Sequence, residues 1–152
     1  MPKRISNEDV QRIGNLIFMT ASELFRHHLS LMGSPDEGSI YAEDVVVDLP
    51  YAPQHHTGKL DGKAHVLRFL TNIGVYFEGV QIGEPTIYVT TDPNVIIAEY
   101  AGASTSKETG LPYRQNYVSV VTVKDGKIAH IREYYNPITV LVATGEMEEP
   151  GA

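Results

Sequence analysis

Apolar residues near the N-terminus recur with the period of an α-helix. The stripe advances by three or four residues at each step, with one histidine among its members, and consists of Val10, Ile13, Ile17, Ala21, Leu24, His28 and Leu31. Positions spaced in this way share one face of a helix. Ser6 or Asn7 is suited to cap the first turn, where Glu8 and Asp9 carry the charge that a helix N-terminus favours. The pattern predicts one long helix that Gly33-Ser34-Pro35 ends.

Two runs of β-branched and aromatic residues predict a β-hairpin in the second half of the chain. The first run is Tyr113–Val123 and the second is Ile128–Asn136, before Pro137. Lys124-Asp125-Gly126-Lys127 separates them. Both central positions of a tight hairpin turn favour positive φ, which Asp-Gly tolerates well, so these four residues predict the turn.

Shorter patterns predict five further elements. They are a strand Val45–Leu49, a short strand or extended loop Gln54–Lys59, a helix from Gly62 to about Ile73 capped by Asp61, a strand segment Tyr76–Thr91 bent at its glycines and Pro85, and a strand Val95–Ser104. The order helix, strand, helix and then four long strands predicts an α+β fold, with helices on one face of a curved antiparallel sheet. We expect a single domain over residues 1–152, with a core from about 7 to 142 and a frayed tail over 143–152.

Composition excludes several classes of function. The net charge is −7, from 12 basic and 19 acidic residues, and no Lys/Arg stripe is present, so nucleic-acid binding is disfavoured. The chain contains no cysteine, which removes disulfides, thiolate metal sites and cysteine nucleophiles. The N-terminus does not resemble a signal peptide, and no apolar run has the length of a membrane span. We therefore expect a cytoplasmic protein without a membrane partner.

Candidate chemistry centres on an acid in the returning hairpin strand. Glu133 lies among residues that otherwise fill a sheet, so it either faces solvent or is placed in a cavity. Asp48, at the end of an apolar strand, is its candidate partner. Two carboxyl groups in one apolar pocket raise each other's pKa and leave one as acid and one as base. The alternative is that Glu133 pairs with Arg132 or Arg114 on the sheet surface, while Asp48 bonds the nearby backbone.

Other polar motifs give weaker signals. Adjacent histidines on an extended segment, as at His55-His56, point to opposite sides and do not readily share one metal ion. His55 or His56 is either a proton carrier at a pocket mouth or an exposed loop residue. No glycine-rich phosphate-binding motif lies between a strand and a helix. We expect no metal and no cofactor.

Several motifs together resemble the SnoaL-like family of the nuclear transport factor 2-like superfamily, from about Asn7 to about Val142. These motifs are Tyr41-Ala42-Glu43-Asp44, Pro50-Tyr51-Ala52-Pro53, Asp92-Pro93, Glu99-Tyr100-Ala101-Gly102, Tyr117, Asp125-Gly126-Lys127-Ile128 and Arg132-Glu133-Tyr134-Tyr135-Asn136-Pro137. The resemblance implies a cone whose curved sheet wraps an apolar pocket plugged by the long helix, with the helices on the concave face. It also implies a homodimer.

The resemblance assigns roles to individual positions. Glu133 matches the carboxylate that phenazine biosynthesis A/B proteins and limonene-type epoxide hydrolases use as acid or base. Asp48 matches a position where the epoxide hydrolases hold a water-orienting amide. By the same resemblance, Glu133 and Tyr135 face inward with Tyr117 opposite, although one β-bulge would reverse the faces of the strand.

This chain lacks site residues that three kinds of family member use, which disfavours their reactions. Epoxide hydrolases need an Arg and an Asp where this chain has Tyr100 and Gly102. Ketosteroid isomerases place their base at the position of Leu49 and a carboxylic acid near Ser119. The phenazine A/B histidine falls near Phe69. None of these three arrangements is reproduced here.

The sequence therefore predicts a cofactor-independent acid–base enzyme, of isomerase, cyclase or dehydratase type. Its substrate would be a small, mostly apolar carbonyl compound or polycyclic metabolite in an enclosed pocket. Glu133 and Asp48 are the predicted catalytic residues, with a tyrosine hydroxyl or Asn116 stabilising the oxyanion. The predicted substrate contacts are Tyr100, Asn116, Tyr117, Tyr135, His55 and Phe69. The alternatives are a non-catalytic ligand-binding or dimerisation module and, less favoured, an epoxide-hydrolase-like hydrolase.

Overall fold

The computed structural model describes residues 5–17 and 19–151, with side chains described outside residues 13–17. Four helices are present: α1 Asn7–Ile17, α2 Ala21–Leu31, α3 Lys63–Tyr76 and α4 Pro137–Ala143. A 3-10 turn spans Glu37–Ile40. The strands are β1 Tyr41–Asp48, β2 Lys59–Asp61, β3 Phe77–Ile82, β4 Thr86–Val89, β5 Val95–Ser106, β6 Pro112–Lys124 and β7 Lys127–Tyr135.

The predicted long N-terminal helix is wrong, because the chain forms two helices there. Thr20 has extended backbone angles, φ −65° and ψ 163°, and caps α2. Its hydroxyl accepts from the Glu23 N–H at 3.1 Å, and the Glu23 carboxylate accepts from the Thr20 N–H at 2.9 Å. This reciprocal pair is a capping box, which starts a new helix where the apolar period alone would continue the old one. Predicted stripe positions Ile13 and Ile17 have side chains outside the described residues.

Seven strands form one curved, unclosed sheet in the described residues. The order is β2-β1-β7-β6-β5-β3, and β4 also pairs with β5. All pairings are antiparallel except that of β1 with β7, which is parallel. The predicted curved antiparallel sheet thus contains one parallel pairing. Because no hairpin joins β1 to β7, local turn geometry does not determine their relative direction.

The predicted hairpin is confirmed. Asp125 and Gly126 both have positive φ, 51° and 72°, as a two-residue turn of the favoured hand requires. The register shifts between Thr122 and Val123, which is a bulge beside the turn. As a result Ile128 and Ile131, three residues apart, are both buried, and the side-chain alternation that places Glu133 starts from Ile131.

Helices cover one face of the sheet, which we call the inner face. α2 contacts β5, β6 and β7, while α3 contacts β1, β2 and β3. Leu24 and Phe25 of α2 are fully buried in the same core cluster as Val45 and Val121 of the sheet. The opposite, outer face carries exposed residues of β6 such as Val118.

The start of α3 differs from the prediction that Asp61 caps it. Asp61 is the last residue of β2, and the N-cap is Gly62, with φ 86° and no side-chain capping bond. The Gly62 N–H instead donates to the Val45 carbonyl at 2.8 Å. A positive φ at this junction suits glycine and lets the strand turn directly into the helix.

The segment after β7 forms α4 and a hydrogen-bonded turn that reaches Met147. Asn136 caps α4 through its side chain, with Pro137 in the first turn. The N–H groups of Glu146 and Met147 donate to the Leu141 carbonyl, and Glu146 contacts the His56 ring at 3.0 Å. Among the described residues, no helix is long and apolar enough to cross a membrane.

Candidate active site

Glu133 lies on the inner face of β7 and is hydrogen-bonded by a tyrosine. The Tyr100 hydroxyl donates to Glu133 Oε1 at 2.6 Å. The same hydroxyl lies 3.0 Å from the Ser119 hydroxyl. A separation of 2.6 Å is in the range of O–H···O⁻ bonds, which are stronger than bonds between neutral groups. The carboxylate therefore has a defined orientation.

Strand register explains why these three residues meet. Glu133 lies directly opposite Ser119 on β6, and Ser119 lies opposite Ala98 on β5. Tyr100 is two residues further along β5 on the same face, so its side chain reaches diagonally to the carboxylate. Ala98, in the same row as Ser119 and Glu133, has a small side chain and so leaves space for this contact.

Tyrosines surround the carboxylate in the next row of the sheet. Tyr100, Tyr117 and Tyr135 pair in register across β5, β6 and β7. The rings of Tyr100 and Tyr117 stack with centroids 5.1 Å apart. A Cβ added at Gly102 would lie 3.0 Å from Cε2 of Tyr117, so the absence of a side chain at Gly102 allows this ring position.

Burial sets the protonation behaviour of the site. Desolvation raises the pKa of the Glu133 carboxyl, and the contacts with Tyr100 and Ser119 oppose that shift. Desolvation, and then the charge of Glu133, raise the pKa of Tyr100 well above its usual value. Burial also raises the pKa of Tyr135 to about 12, with Tyr113 and Glu133 adding to the effect. The hydroxyls thus remain protonated donors beside a carboxyl group whose proton affinity is increased.

None of the ion pairs found among the described residues involves Glu133. The sequence left open a surface pair with Arg132 or Arg114. The structure instead places Glu133 on the inner face, whereas Arg132, its neighbour along the strand, is exposed on the outer face.

The structure separates the predicted pair of carboxylates. Asp48 pairs in register with Arg132, and its Oδ2 lies 2.7 Å from Nε2 of His130. His130 and Arg132 point away from the face that carries Glu133, because side chains alternate along a strand. Asp48 is therefore on the outer face, and the two carboxyl groups do not share a pocket.

Two predicted substrate contacts also lie away from Glu133. Asn116 is exposed on the outer face of β6, one residue from the inward-facing Tyr117. His55 is exposed in the turn after Pro53, with φ 74°. Phe69 of α3 is partly buried against the core, and its contact with substrate stays a prediction.

A buried polar pair that the sequence pattern does not single out accompanies the site. His28 of α2 is 7% exposed and Tyr41 of β1 is 3% exposed. Nδ1 of His28 lies 3.1 Å from the Tyr41 hydroxyl. Burial lowers the pKa of His28 to about 4, so the ring is neutral at physiological pH. In the helical pattern His28 occupies an apolar position, which was the available signal that it is buried.

Gln115 was also missed, and it holds the junction that follows the site. Its side chain is 4% exposed, donates to the Asn136 carbonyl at 2.9 Å and accepts from the Asn136 N–H at 2.9 Å. It also donates to the Tyr113 hydroxyl at 3.2 Å. These bonds orient the end of β7 immediately after Tyr135. Within the described ranges, no three His, Asp or Glu side chains converge as metal ligands would.

Comparison with known proteins agrees with this architecture. The curved sheet with helices on one face has the fold of the nuclear transport factor 2-like class. Solved structures of that class include one from Burkholderia xenovorans, with a TM-score of 0.68 and 21% identity, covering 83% of this chain and 98% of that one. The chain belongs to the SnoaL-like family, whose domain matches residues 33–131. The predicted family and fold class are thereby confirmed.

Two relatives align over most of the chain. The uncharacterized protein YesE of Bacillus subtilis is 34% identical over 141 residues, which are 88% of this chain and 96% of the relative. An uncharacterized PhzA/B-like protein of Pseudomonas aeruginosa is 31% identical over 137 residues, covering 86% and 94% of the two chains.

Solved structures carry provisional functional descriptions. A Bacillus subtilis crystal structure provisionally described as an isomerase has a TM-score of 0.77 and 32% identity, covering 84% of this chain and 94% of that one. One from Xanthomonas campestris, provisionally described as a polyketide cyclase, has a TM-score of 0.69 and 21% identity, covering 81% and 95%. The latter likeness shows the fold alone.

Proposed function

We propose that the protein is a cofactor-independent acid–base enzyme of isomerase, cyclase or dehydratase type. Its substrate would be a small, mostly apolar carbonyl compound. The observation that carries this proposal is the Glu133 carboxyl group, which has a raised pKa, no ion-pair partner among the described residues, and a 2.6 Å bond from the Tyr100 hydroxyl. The alternative, a non-catalytic binding module, predicts instead that Glu133 is held in an ion pair.

Glu133 would act first as the base. Its carboxylate accepts a proton from the carbon next to the substrate carbonyl, and the C–H electrons form an enolate. A raised pKa makes the carboxylate a stronger base, as long as it remains ionised at the working pH. The protonated Glu133 then returns the proton to another carbon, or to a leaving hydroxyl group in a dehydration.

Tyrosine hydroxyls would stabilise the enolate oxygen. Tyr117 and Tyr135 lie in the row beside Glu133, and burial keeps both protonated because it raises the pKa of each. Donors fixed in a poorly solvated site lower the energy of a developing oxyanion more than donors in water do. Tyr100 would have a different part, since its hydroxyl already orients the carboxylate.

Proton exchange tests this chemistry without knowledge of the natural product. Each protein would be incubated in D₂O with a panel of cyclic ketones and enones, and loss of the α-proton signal followed by NMR. We expect Glu133→Gln to slow exchange by about 10²- to 10⁴-fold, the usual contribution of a general base. Asp48→Asn is the matched control, because this carboxylate lies on the outer face and its removal should leave the rate nearly unchanged.

Ligand binding separates the proposal from a non-catalytic module. Glu133→Gln should retain affinity for a ketone that the wild-type protein turns over, since the amide preserves the shape of the site. Wild-type binding without exchange, or equal exchange in Glu133→Gln, would contradict the acid–base assignment. The homodimer implied by the resemblance stays a prediction, which sedimentation velocity can test.

A further inference from the structure

Burial on the inner face changes along β6 and β7. Towards the hairpin turn, Val121 and Ile128 are fully buried in the core. Towards the other end of the same strands, the inward-facing residues Tyr113, Tyr117 and Tyr135 are partly exposed. The core therefore fills the hairpin end of the inner face. The space beside the tyrosines and the candidate acid, which we call the chamber, opens at the end where β7 leads into α4.

The helix α4 crosses this open end. Gln115 lies on the inner face of β6, and its side chain binds both the N–H and the carbonyl of Asn136, each at 2.9 Å. An inward-pointing side chain reaches this main chain because the chain bends across the inner face at the end of β7. At the far end of α4, the carbonyl of the buried residue Ala143 accepts from the Thr109 hydroxyl at 2.6 Å. The helix α4 thus spans the open end from β7 to the loop between β5 and β6.

A second loop holds the chain that follows α4. The Glu146 N–H donates to the Leu141 carbonyl at 2.9 Å, which turns the chain back after the helix. The Glu146 carboxylate then reaches the loop between β1 and β2, where its two oxygens lie 3.0 and 3.1 Å from Nε2 of His56. Hydrogen bonds from Thr144 and then from His56 lower the pKa of Glu146, which keeps the carboxylate ionised. About half of the Glu146 side chain is exposed, and exposed pairs of this kind are weak enough to break readily.

We propose that residues 137–147 form a lid over the chamber, with the contact between His56 and Glu146 as its latch. Gln115 anchors the hinge side, because it holds both backbone groups of Asn136. The role of the lid rests on the proposed function. Closure would exclude water from Glu133 while a ketone is bound, and opening would admit the substrate and release the product.

Thiol labelling measures lid opening without turnover, because the chain contains no cysteine. Ser119→Cys places one thiol in a fully buried position opposite Glu133, so its rate of reaction with a small thiol reagent reports how often the chamber opens. In this background, Glu146→Gln and His56→Ala should each raise the rate by about two- to fivefold, the effect of losing an exposed pair. The double variant should react no faster than the faster single variant, because both changes remove one contact. Glu148→Gln is the matched control, since this exposed carboxylate lies two residues beyond the latch.

Two results would overturn the proposal. Equal labelling of Glu146→Gln and Glu148→Gln would rule out the latch, and labelling no faster than global unfolding in urea allows would rule out the lid. If Ser119→Cys does not fold, hydrogen exchange decides in its place. Amides of residues 137–147 should then exchange faster in Glu146→Gln than in Glu148→Gln while those of β6 do not change, and equal exchange would overturn the proposal. Faster labelling in a protein that shows no ketone exchange would contradict the acid–base chemistry and leave the lid standing.

Discussion

The buried histidine of α2 should make stability depend on pH in a specific way. His28 is 7% exposed, and desolvation lowers its pKa from 6.5 to about 4. The unfolded chain therefore binds a proton between these two values while the folded protein does not. Stability from this group is full above pH 6.5 and is lost as the pH falls. Linkage gives a loss of about 2 kcal/mol by pH 5 and about 3 kcal/mol by pH 4.

His28→Gln is the appropriate perturbation, because glutamine does not titrate and its amide is able to bond the Tyr41 hydroxyl. Urea unfolding followed by circular dichroism would give the free energy of unfolding of both proteins at pH 7.5, 6, 5 and 4. We expect the free energy of unfolding of the variant to be equal to or below that of the wild-type protein at pH 7.5. As the pH falls, the difference should shift in favour of the variant. The comparison depends on the change in the difference, so a constant packing defect in the variant does not affect it.

Parallel pH curves for the two proteins would refute the reasoning. Such a result would mean that His28 titrates normally in the folded protein, so it would not be desolvated at the 3.1 Å contact with Tyr41. An NMR titration of the His28 ring provides an independent check. We expect its signals to remain those of neutral imidazole down to about pH 5.

Two further predictions concern the Glu133 side of the sheet. Gly102→Ala places a methyl group 3.0 Å from the Tyr117 ring, so we expect a stability loss of about 1–3 kcal/mol and slower ketone exchange. Gly74→Ala is the control, because there is open space around Gly74. Equal thermal unfolding of the two variants would contradict the prediction. Burial raises the pKa of Glu133, so the stability that its protonated form contributes is lost as the pH rises above 4.5 through the folded value. In urea unfolding, the free energy of unfolding of Glu133→Gln should therefore rise relative to that of the wild-type protein from pH 4 to 8. A constant difference between the two proteins would count against burial of the charge.

Local patterns predicted the elements whose structure depends on neighbouring residues. The Asp125-Gly126 turn formed as expected because the positive φ it needs is a property of those two residues. The N-terminal helix was misjudged for a related reason: the apolar period continues through Thr20, and the capping box that interrupts it is formed by Thr20 and Glu23. That signal was present in the sequence but was outweighed by the period.

The functional residues show the same distinction between features set by local sequence and features set by the pairing of distant strands. Glu133 could be selected from the sequence because an acid in an otherwise strand-like run is chemically conspicuous, and the resemblance oriented it inward. Its hydrogen-bond partner Tyr100 was named only as a general substrate contact. The 2.6 Å bond between them depends on the register of β5, β6 and β7, which joins residues 33 positions apart.

The sequence by itself determined the two hairpin strands and their turn, the family and the presence of one unusual acid. Only the tertiary structure decided which polar groups meet. Asp48 and Glu133 are adjacent in the sheet through the parallel pairing of β1 with β7, yet a one-residue difference in register puts them on opposite faces. Pairing between distant strands is set by the packing of the whole core, and so is the burial that neutralises His28 and raises the pKa of Glu133. The local sequence specifies neither the strand pairing nor the burial.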